Sequence, residues 1–251
     1  MKPMRPPHKA EGYLRMTSRA RKSDPLWLAD RFSIPAATRA ILFDMDGVLI
    51  DSLSQDCEVV GELLAPFCGS HDQVPRTLIR RYFALALDDF WRVLGGELNL
   101  VLTDEDVELL VAKHELVRRQ AKPIVHDGVL EILDAARRAD LACAVVSNNP
   151  RSEIENMLEA AELLRYVTQV TGNDELGQRR KPAPDPYVSA ANGLGVATSD
   201  CVAVEDSIIG LESAHSAGCY TIGVGTGANT VEELAASGFA TQCYNDFTVR
   251  R

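Results

Sequence analysis

Apolar residues in this chain come in two rhythms, and the change between them sets out its organisation. Residues 41–43 form an unbroken apolar triplet, the signature of a short strand buried on both faces. From about residue 53 to residue 122 the rhythm is helical. Leu78, Ile79, Tyr82, Phe83, Ala86, Leu87, Phe90 and Trp91 recur at spacings of one, three and four. Breaks near residues 67–75 and 95–103 divide this block. Thr103-Asp-Glu-Asp106 reads as an N-cap with acids in the first turn, opening a helix that runs to about residue 120. Pro123 closes the block.

From residue 126 onward the rhythm alternates. Helix is predicted over 129–139, strand over 141–146, helix over 151–160, strand over 166–171 and helix over 185–192. Strand 201–204, helix 208–217, strand 220–224, helix 231–237 and a short strand within 240–244 complete the pattern. Short apolar strands alternating with helices build βαβ units, with right-handed crossovers and a parallel sheet. The predicted fold class is therefore α/β. A Rossmann-like, doubly wound parallel sheet takes residues 39–52 and 123–251, and a helical insert, residues 53–122, follows its first strand.

Composition narrows the function classes. The 251 residues are 46% hydrophobic and 25% charged, ordinary for a globular chain with a sizeable core. A net charge of −10 argues against nucleic acid as the main partner. It leaves a phosphorylated substrate open, because a divalent metal and a few local cations can reverse the field inside a cleft. Residues 1–22 run against the trend, with seven Lys/Arg, one acid and three prolines. Residues 1–38 are accordingly expected to be a basic, disordered extension. Six cysteines with no C-x-x-C pair are expected to be reduced thiols in a cytoplasmic protein. No run approaches the roughly 18 apolar residues of a membrane span, so no membrane association is expected.

Candidate chemistry sits in four places that this topology brings together. Asp44 and Asp46 follow the first strand, and Gly47 permits a sharp turn there. In an open α/β sheet, ligands bind outside the carboxyl ends of the strands. Two carboxylates at i and i+2 in such a turn can converge on one metal or one phosphate. Ser147 and Asn148 follow directly on another strand, where a hydroxyl, a carboxamide and free backbone N–H groups suit a phosphate. Lys181 lies in Arg180-Lys-Pro-Ala-Pro-Asp-Pro186, a loop stiffened by prolines at a helix entrance. A lysine held there can neutralise charge developing on a transferring phosphoryl group. Glu205 and Asp206 end a further strand and suit an oxygen-ligand Mg²⁺ site. Each alone has a structural reading: Ser147-Asn148 and Glu205-Asp206 could cap helices, and Lys181 could be a solvated loop residue. Four such placements in this order outweigh those readings.

The ordered set resembles the haloacid dehalogenase-like hydrolases over about residues 39–245. Asp44-Met-Asp-Gly-Val-Leu-Ile-Asp-Ser52 looks like the family's first motif and Ser147 its second. Lys181 in Lys-Pro-Ala-Pro-Asp looks like the third, and Glu205-Asp206-Ser207 the fourth. The insert resembles the helical cap of the subfamily that holds phosphoglycolate phosphatases, sugar phosphatases and β-phosphoglucomutases.

The resemblance implies a mechanism with which the residue chemistry agrees. Asp44 would be the nucleophile, forming an aspartyl phosphate. Mg²⁺ would be held by the Asp44 carboxylate, the Asp46 backbone carbonyl and Asp206, with Glu205 bound directly or one layer out. Asp46 would protonate the leaving oxygen and then deprotonate the hydrolytic water. Ser147, Asn148 and Lys181 would hold phosphoryl oxygens, and Asp51 would order the turn. The acid at position 46 argues against dehalogenation, since a halide leaves without a proton. The expected activity is Mg²⁺-dependent hydrolysis of a small phosphorylated metabolite by a monomer or homodimer. A phosphomutase using the same intermediate is the enzymatic alternative, and the missing Gly-hydrophobic-Ser-Arg loop counts against it. A catalytically idle binding protein is the alternative from another class. Arg76, Arg80, Arg81, Arg92, Lys113 and His114 are candidates for substrate contact, against a default of solvated helix faces.

Overall fold

The computed structural model describes residues 32–68, 74–174 and 179–248. Among the described residues six strands form one sheet in the order β3-β2-β1-β4-β5-β6. They are β1 Ala40–Phe43, β2 Ala142–Val146, β3 Gln169–Thr171, β4 Cys201–Glu205, β5 Tyr220–Val224 and β6 Gln242–Tyr244. Every pairing is parallel. This is a Rossmann-like, doubly wound order, the fold class expected of the alternating pattern, and the strand order reverses between β1 and β4.

Alternation along each central strand feeds two cores. Ile41 and Phe43 join Val145, Val202 and Val204 on one face, and Ala40 and Leu42 join Ala144 and Ala203 on the other. Both faces are covered, which is why these strands read as unbroken apolar runs. Helices α5 (Val129–Arg138) and α6 (Arg151–Ala160) lie against the first core. On the second face α7 (Asp185–Gly193) and α8 (Ile208–Ser216) meet a surface built largely of alanine, so the helices approach closely. A last helix, α9 (Val231–Ala236), opens on a capping box between Thr230 and Glu233.

Between β1 and α5 the described residues form four helices: α1 Ser52–Cys68, α2 Arg76–Tyr82, α3 Leu87–Glu97 and α4 Asp104–Gln120. They share a core of Val60, Leu64, Ile79, Phe90, Trp91, Leu94, Val107 and Leu110. At roughly 1.5–3 kcal/mol for each large side chain fully buried, this core holds together helices that would be marginal alone. Thr103 and Asp106 form the capping box that the sequence places at the start of α4.

Three expectations change. The periodic run 78–91 is two helices, because Phe83–Ala86 turns out of the helical path and Ala86 is extended. Asp88 and Asp89 in the first turn of α3 are the signal for that second start. The strand expected over 166–171 shortens to β3, an edge strand paired on one side only, preceded by a 3₁₀ turn over Leu164–Tyr166. The extension expected to be unordered through residue 38 is packed from Phe32 onward. Phe32 is buried, with its ring edge-on to Tyr244 at 5.0 Å and to Phe247 at 6.2 Å. The rest of that extension, residues 1–31, lies outside the described residues. Among the described residues no helix is long and apolar enough to cross a membrane. Cys57, Cys143, Cys201, Cys219 and Cys243 are free thiols.

Candidate active site

Strand register brings the candidate residues level. Phe43 pairs with Val145 on one side and with Val204 on the other. One residue further, Asp44, Val146 and Glu205 stand side by side at the carboxyl edge, and Asp44 N donates to Val204 O at 3.0 Å. Met45–Ile50 then turns tightly, with Ile50 N donating to Met45 O and Gly47 N to Ile50 O. Asp51 caps α1 through the backbone N–H and hydroxyl of Ser54.

Gly47 has φ of +82°, which favours glycine, and a Cβ there would fall 2.4 Å from Asp206 Oδ2. Gly227 presses on the same carboxylate from the loop after β5, where a Cβ would lie 1.9 Å from Oδ2. Asp206 Oδ2 also accepts the Ala228 N–H at 2.5 Å. The two glycines let backbone close around Asp206.

Lys181 ties the centre together. Its Nζ donates to Asp44 Oδ1 at 2.6 Å, to Glu205 Oε1 at 2.6 Å and to Val146 O at 2.8 Å. Burial works against its charge, but Asp44 and Glu205 more than offset that and hold the ammonium above its ordinary range. Glu205 is fully buried and has both oxygens in use, Oε1 also taking Tyr187 Oη at 2.5 Å and Oε2 taking Ser207 Oγ at 3.2 Å. Asn148 Oδ1 accepts the Lys181 N–H at 3.1 Å, so this carboxamide sets the loop that delivers the lysine.

Asp44, Glu205 and Asp206 offer carboxylate oxygens all within 4.8 Å of one another, and all three residues are buried. Burial, with Glu205 and Asp206 adding to it against Lys181, raises Asp44 well above the usual carboxylate range. Burial and then Glu205 push Asp206 up to about 8. Three carboxylates around one ammonium repel one another, a repulsion that either protons or a bound cation would relieve. The donors are oxygen, without His or Cys, which is the set for a hard divalent cation such as Mg²⁺. Asp46 stands apart from this cluster by its side chain: Oδ1 accepts from Ser52 Oγ at 2.5 Å and Oδ2 from Asn149 Nδ2 at 2.7 Å.

A cleft of about 460 Å³, partly open to solvent, lies over these groups. Asp44, Asp46, Ser147, Asn148, Lys181 and Asp206 all line it, and Phe83, Ala84, Leu85 and Leu87 form an apolar wall from the helical side.

The sequence matches the haloacid dehalogenase-like hydrolase family over residues 41–224, most of the chain. The chain belongs to that family. Among its relatives is the phosphoglycolate phosphatase of Shigella boydii, 27% identical over 79% of this chain and 86% of the relative. A solved structure of a predicted phosphoglycolate phosphatase from Haemophilus somnus superposes with a TM-score of 0.75 at 22% identity, over 84% of this chain and 96% of that one. That likeness is one of fold. A hydrolase of the family from Deinococcus radiodurans, solved with bound phosphate and sodium, is 27% identical with a TM-score of 0.69, over 84% and 93% of the two chains.

Of the residues proposed from the helical insert, none of the six lines this hydrolase's cleft. Arg92 pairs with Asp104 at 2.6 Å on the surface, Arg80 Nε donates to Ala228 O at 3.2 Å, and Arg76 bonds Ser54 Oγ at 3.2 Å. His114 is fully buried rather than on a solvated face. Sequence reasoning missed Asn149, Tyr187 and Arg118. Asn149 was legible as a second carboxamide after β2. Arg118 carried no local signal, because a charged residue at that spacing reads as a solvated helix face. Nothing local distinguishes Tyr187 from a core aromatic.

Proposed function

We propose that this hydrolase cleaves small phosphomonoesters through an aspartyl phosphate on Asp44, with Mg²⁺ as its metal. The observation that carries this reading is the Asp44 carboxylate, buried at the sheet's switch point, bonded to Lys181 and flanked by a second, separately held carboxylate on Asp46. The phosphate bound to the Deinococcus radiodurans hydrolase and the phosphatase names of other relatives support it.

Asp44 and Asp206, with the Asp46 backbone carbonyl, would hold the metal, and Glu205 keeps Lys181 in place while adding to the local negative charge. Bound Mg²⁺ would screen the Asp44 anion from the incoming dianion. An Asp44 oxygen forms the bond to phosphorus as the bond to the ester oxygen breaks, and Asp46 gives its proton to the departing alkoxide. Water then attacks phosphorus, Asp46 takes its proton, and the Asp44 carboxylate is released with inorganic phosphate. Ser147 Oγ and Asn148 Nδ2 hold the phosphoryl oxygens through the transfer, and Lys181 Nζ joins them by exchanging its bond to Asp44 for one to a phosphoryl oxygen while keeping those to Glu205 and Val146. The helical group acts as a cap whose Phe83–Leu87 wall limits water over the reacting centre.

The test is phosphate release from a panel of phosphomonoesters with Mg²⁺, together with acid-quench trapping of phosphoprotein. Label is expected on Asp44 in the wild type. Asp44→Asn should have neither label nor turnover. Turnover retained in Asp44→Asn would overturn the reading.

A further inference from the structure

A second polar cluster lies on the helical side of the cleft. Asp56 on α1 is 2% exposed, and His114 on α4 is fully buried. Asp56 Oδ1 accepts from Arg118 Nε at 2.9 Å and lies 3.0 Å from His114 Nε2, while Oδ2 takes Arg118 Nη2 at 2.5 Å. His114 and Arg118 are one turn apart on α4 and so share a face. The His114 ring is fixed in turn by edge-on contacts with Trp91 at 5.6 Å and Phe90 at 6.3 Å.

This arrangement spends one edge of the guanidinium on a buried carboxylate. Nη1 on the other edge has no hydrogen-bond partner among the described residues, although Asp46 and Glu115 also attract the charge, and Arg118 is part of the cleft lining together with Asp46, Ser147 and Asn149. The side chain is 12% exposed, as a group open on one side only would be. Helix packing does not demand such a cluster, since buried ion pairs replaced by apolar residues of similar volume often leave stability unchanged or raised. A guanidinium anchored along one edge and open along the other is a receptor for an oxyanion, with its fork already oriented. The rest of that wall is apolar, so the part of a substrate beyond its phosphoryl group meets one cation.

We propose that Arg118 binds an oxyanion carried by the substrate away from the phosphoryl group, with Asp56 and His114 as its positioning residues. The inference rests on the phosphomonoesterase reading above and narrows it. The preferred substrates carry a carboxylate or a second phosphate on a short chain, rather than only hydroxyl groups.

Three probes of similar size separate the cases: 2-phosphoglycolate, ethane-1,2-diol bisphosphate and 2-hydroxyethyl phosphate, each with the full chain and Mg²⁺. The wild type should favour at least one oxyanion-bearing probe over 2-hydroxyethyl phosphate by about tenfold or more in kcat/KM. Which probe wins identifies the oxyanion as carboxylate or phosphate. Arg118→Gln should lower kcat/KM for that probe by about 10–100-fold, mostly through KM, and collapse the preference. Arg118→Lys should recover only part of it, because an ammonium lacks the fork. Asp56→Asn should erode the same ratio while Arg118 is still present. Equal kcat/KM for all three probes in the wild type overturns the inference without any variant having to fold. So does an Arg118→Gln loss that is the same on every probe. No phosphate release from these or any wider panel would instead bring down the hydrolase reading, and this inference with it.

Discussion

Asn149 donates its side-chain amide to Oδ2 of Asp46 at 2.7 Å, linking the loop after β2 to the turn after β1. With Ser52 on the other oxygen, the carboxylate proposed to move protons is aimed from both sides. Removing the aim differs from removing the acid. Asp46→Asn should lower turnover of alkyl phosphates by about 10²–10⁴-fold, the usual share of general acid–base catalysis. Asn149→Ala leaves the carboxylate and should cost roughly tenfold through misalignment. With an aryl phosphate, whose leaving group needs little protonation, the Asp46→Asn deficit in the first step should shrink. Pre-steady-state kinetics on both substrates would check this. Equal losses in the two variants on both substrates would place Asn149 in the chemistry itself.

Gly227 makes a sharper test of the metal assignment. An alanine there would put Cβ 1.9 Å from Asp206 Oδ2 and 2.7 Å from its Cγ, so the carboxylate must move. Disturbing the support of a metal ligand costs typically 10–100-fold in metal affinity. Gly227→Ala should therefore raise the Mg²⁺ needed for half-maximal activity by about tenfold or more. Gly96→Ala serves as the control, since a Cβ there meets nothing within 4 Å. It lies inside α3, so it should add about 0.5–1 kcal/mol of stability with unchanged kinetics. A normal Mg²⁺ requirement in Gly227→Ala would remove Asp206 from the metal site.

Particular residues show how far the sequence could be read. Ala40–Phe43, Ala142–Val146 and Cys201–Glu205 announce themselves because strands buried on both faces must be apolar throughout. Their carboxyl ends then locate Asp44, Ser147 and Glu205 with no need of tertiary detail. The turn at Phe83–Ala86 was hidden, because its residues are as apolar as the helices on either side. Phe83, Ala84 and Leu85 keep that character by facing the cleft, and Ala86 is buried. Arg118 was hidden for a different reason. A charged residue on an amphipathic helix normally faces water, and only the depth of Asp56 and His114 shows that this one does not. Periodicity reports which face is apolar, whereas polar groups satisfied by one another inside the protein leave no periodic trace.

Metal binding should depend on pH in a direction fixed by the site. Asp206 is pushed up to about 8, by burial first and then by Glu205, and burial also raises Asp44. A cation binds the deprotonated carboxylates, so below that pH it must expel protons. The Mg²⁺ concentration giving half of the thermal stabilisation should fall as pH rises from about 6 to about 8, then level off. Comparing melts with and without Mg²⁺ at each pH cancels groups elsewhere in the protein. Excess chelator should abolish activity. A midpoint that ignores pH over this range would mean that the carboxylates are ionised before metal arrives.

Asp56 should leave the opposite signature, in acid. Burial alone would raise its carboxyl, but Arg118 and His114 more than reverse that and hold it at about 2, against 3.8 for the ordinary side chain. A group depressed in the folded state contributes stability above its unfolded value and loses it as pH falls through its folded value. The window is therefore from about pH 4 down to about 2, and the shift corresponds to about 2 kcal/mol. Asp56→Asn leaves Arg118 and His114 facing an amide, which should cost about 3 kcal/mol at neutral pH, near the lower end for a broken buried pair because Arg118 still borders the cleft. Urea unfolding at neutral pH should show that loss. Repeated at falling pH, the gap between wild type and Asp56→Asn should narrow, because protonation removes the same charge from the wild type. A gap that stays constant through this window would mean that Asp56 titrates normally in the folded protein, and that the cluster is not the tightly paired anchor its geometry describes.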